Sequence, residues 1–439
     1  MFQPMNLTEN YKRWQKVIDN ANAPVIKEMY RKKVTAQLLE NLANELKVER
    51  SQAISRTLNE AAPTNNISGG NIGTWDPILI SIVRRSLPNL MAYDVCGVQP
   101  MSGPTGLIFA MKSRYVTQTG TEALFHEADT SFSGNNAVQN LSGQQTTSAV
   151  GGTDPFGGSY GIGRGMTTGQ AETLGDGTNG NNFPEMAFSI DKVSVTAKSR
   201  ALKAEYTMEI AQDLKAVHGL DAENELANIL STEILTEINR EIVRTLYYIA
   251  VQGAVGTNTS GTFDLDIDSD GRWSVERFKG LIYQLERDAN QIAKKTRRGK
   301  GNILICSSDV ASALVMAGLL DYTPALSTGL DVDDTGNTFA GVLNGKMKVY
   351  IDPYFISSGS DELALVGYKG VNPYDAGFFY APYVPLTMMR AVGEQSFQQK
   401  IGFKSRYGLV SNPFYTDANG SITAQSNDYY RLIKVQNLL

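Results

Sequence analysis

Residues 75–115 read WDPILISIVRRSLPNLMAYDVCGVQPMSGPTGLIFAMKSRY, from Trp75 to Tyr115. Asp76 and Pro77 open a helix, Asp as N-cap and Pro at the first helical position, where its missing N–H costs nothing. Ile78, Ile82, Val83 and Leu87 then fall on one stripe, with Arg84 and Arg85 off it. Pro88 and Asn89 stop the helix. Gln99 to Gly106 is a turn cluster, and Leu107 to Tyr115 alternates like a strand and carries aromatics. No catalytic constellation lies in this stretch.

Two further blocks have a similarly definite character. Glu185 to Val243 reads EMAFSIDKVSVTAKSRALKAEYTMEIAQDLKAVHGLDAENELANILSTEILTEINREIV. Asn372 to Val392 reads NPYDAGFFYAPYVPLTMMRAV, with GFKSRYGLVSNPF behind it. All three strings resemble one family, the major capsid protein of T-even-type tailed bacteriophages, and they follow one another in family order. The resemblance implies an α+β protein with the Hong Kong 97-type phage capsid fold. It would have a peripheral domain with a long spine helix on a sheet, an axial domain, an extended loop and an N-terminal arm.

Composition agrees with a folded chain of two or three domains. The 439 residues are 42 % hydrophobic and 19 % charged. A formal charge of −5 gives no basic footprint for nucleic-acid binding, as expected of a wall that encloses double-stranded DNA without gripping it. The two cysteines, Cys96 and Cys306, read as buried thiols, not as a disulfide framework. The N-terminus has no apolar core of a secretory signal. Ile303 to Leu320 is the nearest approach to a membrane span. Asp309 and its neighbouring serines interrupt it, so it reads as a strand, a Ser-Ser-Asp cap and a buried helix.

Residues 1–60 form a segment apart. Ten Lys/Arg stand against seven Asp/Glu, a net of +3, which leaves −8 for the rest of a chain whose charge is −5. Val34, Leu38, Leu39, Leu42 and Leu46 form an amphipathic stripe that needs a surface to pack on. The segment ends at Leu58-Asn59-Glu60, before a linker rich in small residues, Ala61 to Gly70. In the resembled family a prohead protease cuts after the Glu of a hydrophobic-x-Glu triplet. Leu58, Glu60 and Ala61 fit that processing site.

From Gly134 to Asn182 thirteen glycines accompany few apolar residues, too few to order the segment locally. By resemblance this is the extended loop with a glycine-rich insertion, a projecting arm ordered by neighbouring subunits. Ala187 to Lys198 reads as a strand with Ile190, Val193 and Val195. The sharpest helix follows: Asp221 caps it, and Glu223 and Glu225 sit in its first turn. Leu226, Ile229, Leu230, Ile234, Ile238, Ile242, Leu246 and Ile249 make its stripe, and Gly253 is expected to end it. By resemblance it is the spine helix.

Beyond it, helix and strand alternate: a helix from Trp273 to Ala293, a basic turn from Lys294 to Lys300, a strand from Asn302 to Cys306, and a helix from Val310 to Leu320. Further strands are expected at Met347 to Ile351 and Leu363 to Val366. The expected organisation is residues 1–60 a cleaved, scaffold-like propeptide, 61–118 the N-terminal arm and 119–186 the extended loop. Residues 187–262 and 375–439 would form the peripheral domain, and 263–374 the axial domain.

Three motifs suggest chemistry and fall short of it. Asp266-x-Asp268-x-Asp270-Gly271 begins like a calcium loop, but the twelfth position is Arg277 where a bidentate Glu is needed. Gly157-Gly-Ser159-Tyr-Gly161 has glycine-rich flanks where a nucleophile elbow needs a strand and a helix, and the chain holds only two histidines. Gly341 to Met347 is one residue short of a phosphate loop and has Met347 where Ser or Thr should stand, so it reads as an Asn-Gly turn. No catalytic, cofactor-binding or metal residues are therefore expected. The expected function is a structural shell subunit, forming hexamers of the head shell around the genome, in the virion after assembly in the host cytoplasm. Two alternatives share the fold: a pentamer-forming vertex paralogue, and the shell of an encapsulating nanocompartment. Besides copies of itself, the resemblance implies as partners the vertex protein, portal, scaffold and prohead protease, with outer decoration proteins and a chaperonin as further candidates.

Overall fold

The computed structural model describes residues 7–19, 26, 28–57, 90–124, 128, 132–133, 165–175, 183–269, 271, 273–318, 320–322, 338–355, 361–393, 398–412 and 422–438. In chain order the elements are α1 (Leu7–Ile18), α2 (Met29–Thr57), α3 (Ala92–Val95), β1 (Gly97–Val98), β2 (Thr105–Tyr115), α4 (Thr168–Glu172), β3 (Met186–Thr196), β4 (Lys198–Tyr206), α5 (Met208–His218) and α6 (Ala222–Ile249). There follow β5 (Ala250–Gln252), β6 (Thr262–Asp264), α7 (Ser274–Thr296), β7 (Ile303–Cys306), α8 (Ser308–Met316), β8 (Leu320–Tyr322), β9 (Thr338–Leu343), β10 (Met347–Ile351), β11 (Glu362–Gly367), β12 (Phe378–Val392), β13 (Gln399–Ser411) and β14 (Asn427–Gln436). This mixture of helices with largely antiparallel sheets is the α+β class the sequence leads one to expect. The expected helix at 76–87, and most of the glycine-rich arm, lie outside the described residues.

The chain divides into two compact units. The first comprises residues 1–107, 194–295 and 299–439. It holds a four-stranded sheet, ordered β1-β12-β13-β4, and an eight-stranded sheet, ordered β5-β14-β11-β7-β10-β9-β8 with β6 also on β14. In the four-stranded sheet β13 runs antiparallel to both neighbours, pairing Ser411 with Phe378 and Gln399 with Tyr206. Along β13 the buried positions alternate, Ile401, Phe403, Ser405 and Tyr407, so one face is covered. β7 reads Ile-Leu-Ile-Cys, is buried throughout, and lies between β11 and β10. An unbroken apolar run is what a strand covered on both faces requires. The second unit comprises residues 108–193 and 296–298, and its described core is the β2–β3 ribbon.

Helix α6 is the long helix read from the sequence. The Asp221 side chain accepts from the Glu223 N–H at 3.3 Å, and Glu223 and Glu225 stand in the positive first turn. Its 28 residues span about 42 Å. Leu230, Ile234, Ile238, Ile242, Leu246 and Ile249 are all buried. Ile229 is not: it is 62 % exposed, because the buried stripe runs through Leu230 one residue on. The helix also stops earlier than expected. Ala250 turns extended and starts β5. Gly253 is needed for a different reason: a Cβ there would come within 2.7 Å of the Asp288 carboxylate and 2.8 Å of Ile433. Asp288 comes that close because it accepts the neighbouring Ala254 N–H at 2.7 Å.

Other boundaries shift for similar reasons. The expected strand at 187–198 is β3, but Ile190 is exposed while Val193 and Val195 are buried, as residues an odd number of positions apart must face opposite ways. α8 covers Ser308–Met316 and stops short of Leu320, which begins β8. Ser307 stands at its N-cap without a side-chain capping bond. β14 lies in the eight-stranded sheet beside β11, so residues 375–439 contribute to both sheets and not to one. The Asn344-Gly345 pair does turn β9 into β10, with φ of 51° and 65°, the left-handed pair of a tight hairpin.

Candidate assembly framework and surfaces

Two side-chain clusters hold α6 in the first unit. Toward the four-stranded sheet, Arg200 on β4 reaches Glu237 at 2.8 Å and Glu241 at 2.6 Å. The same guanidinium donates to the Tyr407 hydroxyl on β13, and that hydroxyl donates to Glu241. Burial and the adjacent Glu241 carboxylate push the Tyr407 phenol above its ordinary range, so it stays a donor at any physiological pH. Toward the eight-stranded sheet, Arg240 Nη1 donates to both oxygens of Asp352, at 2.7 and 2.6 Å. Tyr247 donates to Asp352 Oδ2 at 3.1 Å, and the Tyr354 N–H donates to Oδ1 at 3.1 Å. The guanidinium also lies 5.7 Å from the centre of the Tyr354 ring. Asn239 completes the set by accepting from the Met91 N–H at 3.2 Å. One helix thus carries four polar residues that tie it to three neighbours: Glu237 and Glu241 to Arg200, Asn239 to Met91, and Arg240 to Asp352.

These groups have the arrangement of a framework. The cleft beside Asp352 encloses about 20 Å³, room for a water molecule. A wider one, about 340 Å³, is lined by Tyr206, Glu223, Arg390 and Gln399, whose polar ends pair with one another, Arg390 with Glu223 and Tyr206 with Gln399. Among the described residues neither is lined by a histidine or a cysteine. Cys96 and Cys306 are buried free thiols, and burial pushes both up to about 12, which leaves them unreactive.

Leu58, Glu60 and Ala61 lie outside the described residues, as does Gly157 to Gly161. Of the acidic loop, Asp266 pairs with Arg277, the residue standing where calcium would need its bidentate carboxylate. Asp268 is occupied by the N–H groups of Asn258 and Asp264, both at 3.0 Å, and Asp270 lies outside the described residues. Among the described residues no cluster of His, Cys, Asp or Glu could hold a metal ion, and no helix is long and apolar enough to cross a membrane. In the basic turn, Lys300 pairs with Glu286.

Large apolar side chains are left open elsewhere. In the second unit, Met111 on β2 and Met186, Phe188 and Ile190 on β3 are exposed. In the first, α5 buries none of its residues and exposes Met208, Ile210 and Val217, with Leu220 just beyond it. Exposed large apolar side chains gathered on one strand pair or one helix are the kind of surface that marks an interaction site. Sequence reading missed β4 and α5. The strand has polar residues at most positions, and the helix leaves Met208, Ile210 and Val217 exposed among the described residues.

Comparison with known proteins gives a consistent result. The model of the family "Major capsid protein Gp23" matches residues 72–435. The major capsid protein of Salmonella phage ViI is 39 % identical over 98 % of this chain and 98 % of its own length. That of Enterobacteria phage T4 is 37 % identical over 92 % of both chains. The T4 capsid vertex protein is 29 % identical over 53 % of this chain and 55 % of its own. Among solved structures, the capsid of Myoviridae phage XM1 covers 79 % of this chain and 92 % of that one, at 10 % identity and a TM-score of 0.41.

Proposed function

The chain belongs to the Gp23 family of major capsid proteins, and on that premise we propose that it builds a head shell from hexamers of itself. It is a major capsid protein of the T4 type, with the α+β, Hong Kong 97-type capsid fold. The observation that carries the hexamer reading is the apolar surface left open on β2, β3 and α5, which copies of the same chain would cover. Closed symmetry lets each such contact be weak, since it is repeated around the ring and over the shell. The chain does no chemistry of its own in this reading. The four-stranded sheet with α6 serves as the peripheral domain and the eight-stranded sheet as the axial one. The far shorter and weaker match to the vertex protein favours the major-subunit role over the vertex paralogue. The expected partners are the vertex protein, portal, scaffold, prohead protease and decoration proteins, in a shell that encloses DNA without specific contacts.

Maturation is by a cut between Glu60 and Ala61. The family model begins at residue 72, beyond that point. Mass spectrometry of protein from mature particles is expected to show Ala61 as the first residue. Intact Met1 there would contradict the cut. Glu60→Gln is expected to trap immature shells, because the protease would read a carboxylate at that position.

The arm from Gly134 to Asn182 is ordered by neighbours. Its amides are expected to exchange rapidly in the free subunit and slowly in the shell, measured by hydrogen exchange with mass spectrometry. Equal protection in both states would remove the arm from the list of inter-subunit contacts.

A further inference from the structure

The N-terminal helices pack into the first unit, where Val34, Leu38 and Leu39 join the core cluster that also holds α6. Val34, Leu38, Leu39 and Leu42 of α2 are fully buried, and α2 packs on β12. Polar side chains are buried beside them: Thr35, Gln37 and Asn41. Asn41 donates to two backbone carbonyls of the body, Met101 O at 2.7 Å and Tyr383 O at 2.8 Å. Gln37 orients it, donating to Asn41 Oδ1 at 3.0 Å, and Asn10 of α1 in turn donates to Gln37 at 2.7 Å. Tyr30 donates to the carbonyl of Val98 on β1. Arg31 reaches Asp94 on α3 at 2.6 Å and lies 5.3 Å from the centre of the Tyr93 ring.

These contacts have the composition of an interface, with polar groups laced through an apolar stripe. The body presents acceptors, three carbonyls and one carboxylate, and the helix presents the donors. The charges also oppose: the segment carries ten Lys/Arg against seven Asp/Glu, while the rest of the chain is acidic. α1 and α2 contribute no strand to either sheet, so the strand pairing of both sheets is complete without them.

We propose that α3, β1 and β12 form a helix-receiving seat whose occupant is α2 of the same chain, and that the seat empties when the chain is cut between Thr57 and Leu90. Its trigger in the virion rests on the processing reading above; the seat itself does not. Before the cut, the connection holds α2 at an effective concentration of order millimolar, enough to keep a modest contact closed. After it, the fragment is diluted away, and Asp94 and the carbonyls of Val98, Met101 and Tyr383 lose their donors together. Cleavage would thus uncover a defined patch on the body at a defined moment, beyond merely shortening the chain.

The test uses the full chain with a foreign protease site placed among residues 64–70. After cutting and gel filtration, the N-terminal fragment is expected to separate. Exchange of the amides from Met91 to Val98 should rise by about tenfold or more, while those of α6 and β14 stay as protected as before. A fragment that remains bound, or amides at 91–98 that do not change, overturns the proposal. Loss of protection in α6 and β14 also overturns it, since the helices would then belong to the core. In the uncut chain, Arg31→Glu, which sets a like charge against Asp94, should raise exchange in α2 and at 91–98. Lys33→Glu, with the same change in net charge, should not; equal effects would count against the seat. Because the foreign protease does not read Glu60, failure here leaves the processing claim standing, and intact Met1 in virions would leave the seat standing.

Discussion

Ile238→Asp is expected to abolish soluble, folded subunit. Ile238 is 2 % exposed, midway along α6 within the main core. A lone carboxylate buried there costs several kcal/mol, against a total stability of about 5–15 kcal/mol for a typical domain. The neighbouring Glu237→Gln is expected to do little. Glu237 is 42 % exposed, and Glu241 still holds Arg200 when Glu237 is neutralised. A pair so open to solvent is worth less than about 1 kcal/mol. Soluble yield and gel filtration separate the two outcomes. Because folding precedes ring formation, the Asp variant should aggregate without reaching the ring stage. Normal shells from it would mean that α6 does not pack on this face.

Arg240→Met is expected to cost about 3–5 kcal/mol, read as a lower urea midpoint with an unchanged slope. The Asp352 side chain is 3 % exposed, and Arg240 is its only cationic partner among the described residues. Removing the cation leaves a buried carboxylate with only the Tyr247 hydroxyl and the Tyr354 N–H. Those two hydrogen bonds place the expected loss toward the lower end of the range. Adding Asp352→Leu to Arg240→Met should recover much of the stability, since what hurts is the orphaned charge more than the missing pair. A double variant no more stable than the single one would show that the cluster is needed for its shape and not for its charge balance.

The sequence made α6 legible because three independent signals agree along it: the Asp221 cap, acidic residues in the first turn, and an apolar stripe of helical period. The β9–β10 turn was legible for a comparably local reason, since Asn-Gly is the pair that tolerates left-handed backbone. What escaped was non-local or lacked a partner. Arg240 and Asp352 lie 112 residues apart, and nothing near either names the other. Nor does anything near Arg200 announce Tyr407, which lies 207 residues away. β14 has ordinary strand alternation, which fixes its inward face but not which sheet it joins. α5 leaves Met208, Ile210 and Val217 in the open, so residues that normally signal a core signal here a surface. The stripe on α2 showed that a seat must exist, but the carbonyls that Asn41 and Tyr30 find there are backbone groups with no signature in sequence.

The central claim is that this chain builds a shell from copies of itself. Electron microscopy of the full-length protein, purified and concentrated, tests it most directly. Sixfold rings, or closed shells made of them, are the expected result. Dispersed monomers at every concentration, with β2, β3 and α5 still open to solvent, would contradict it.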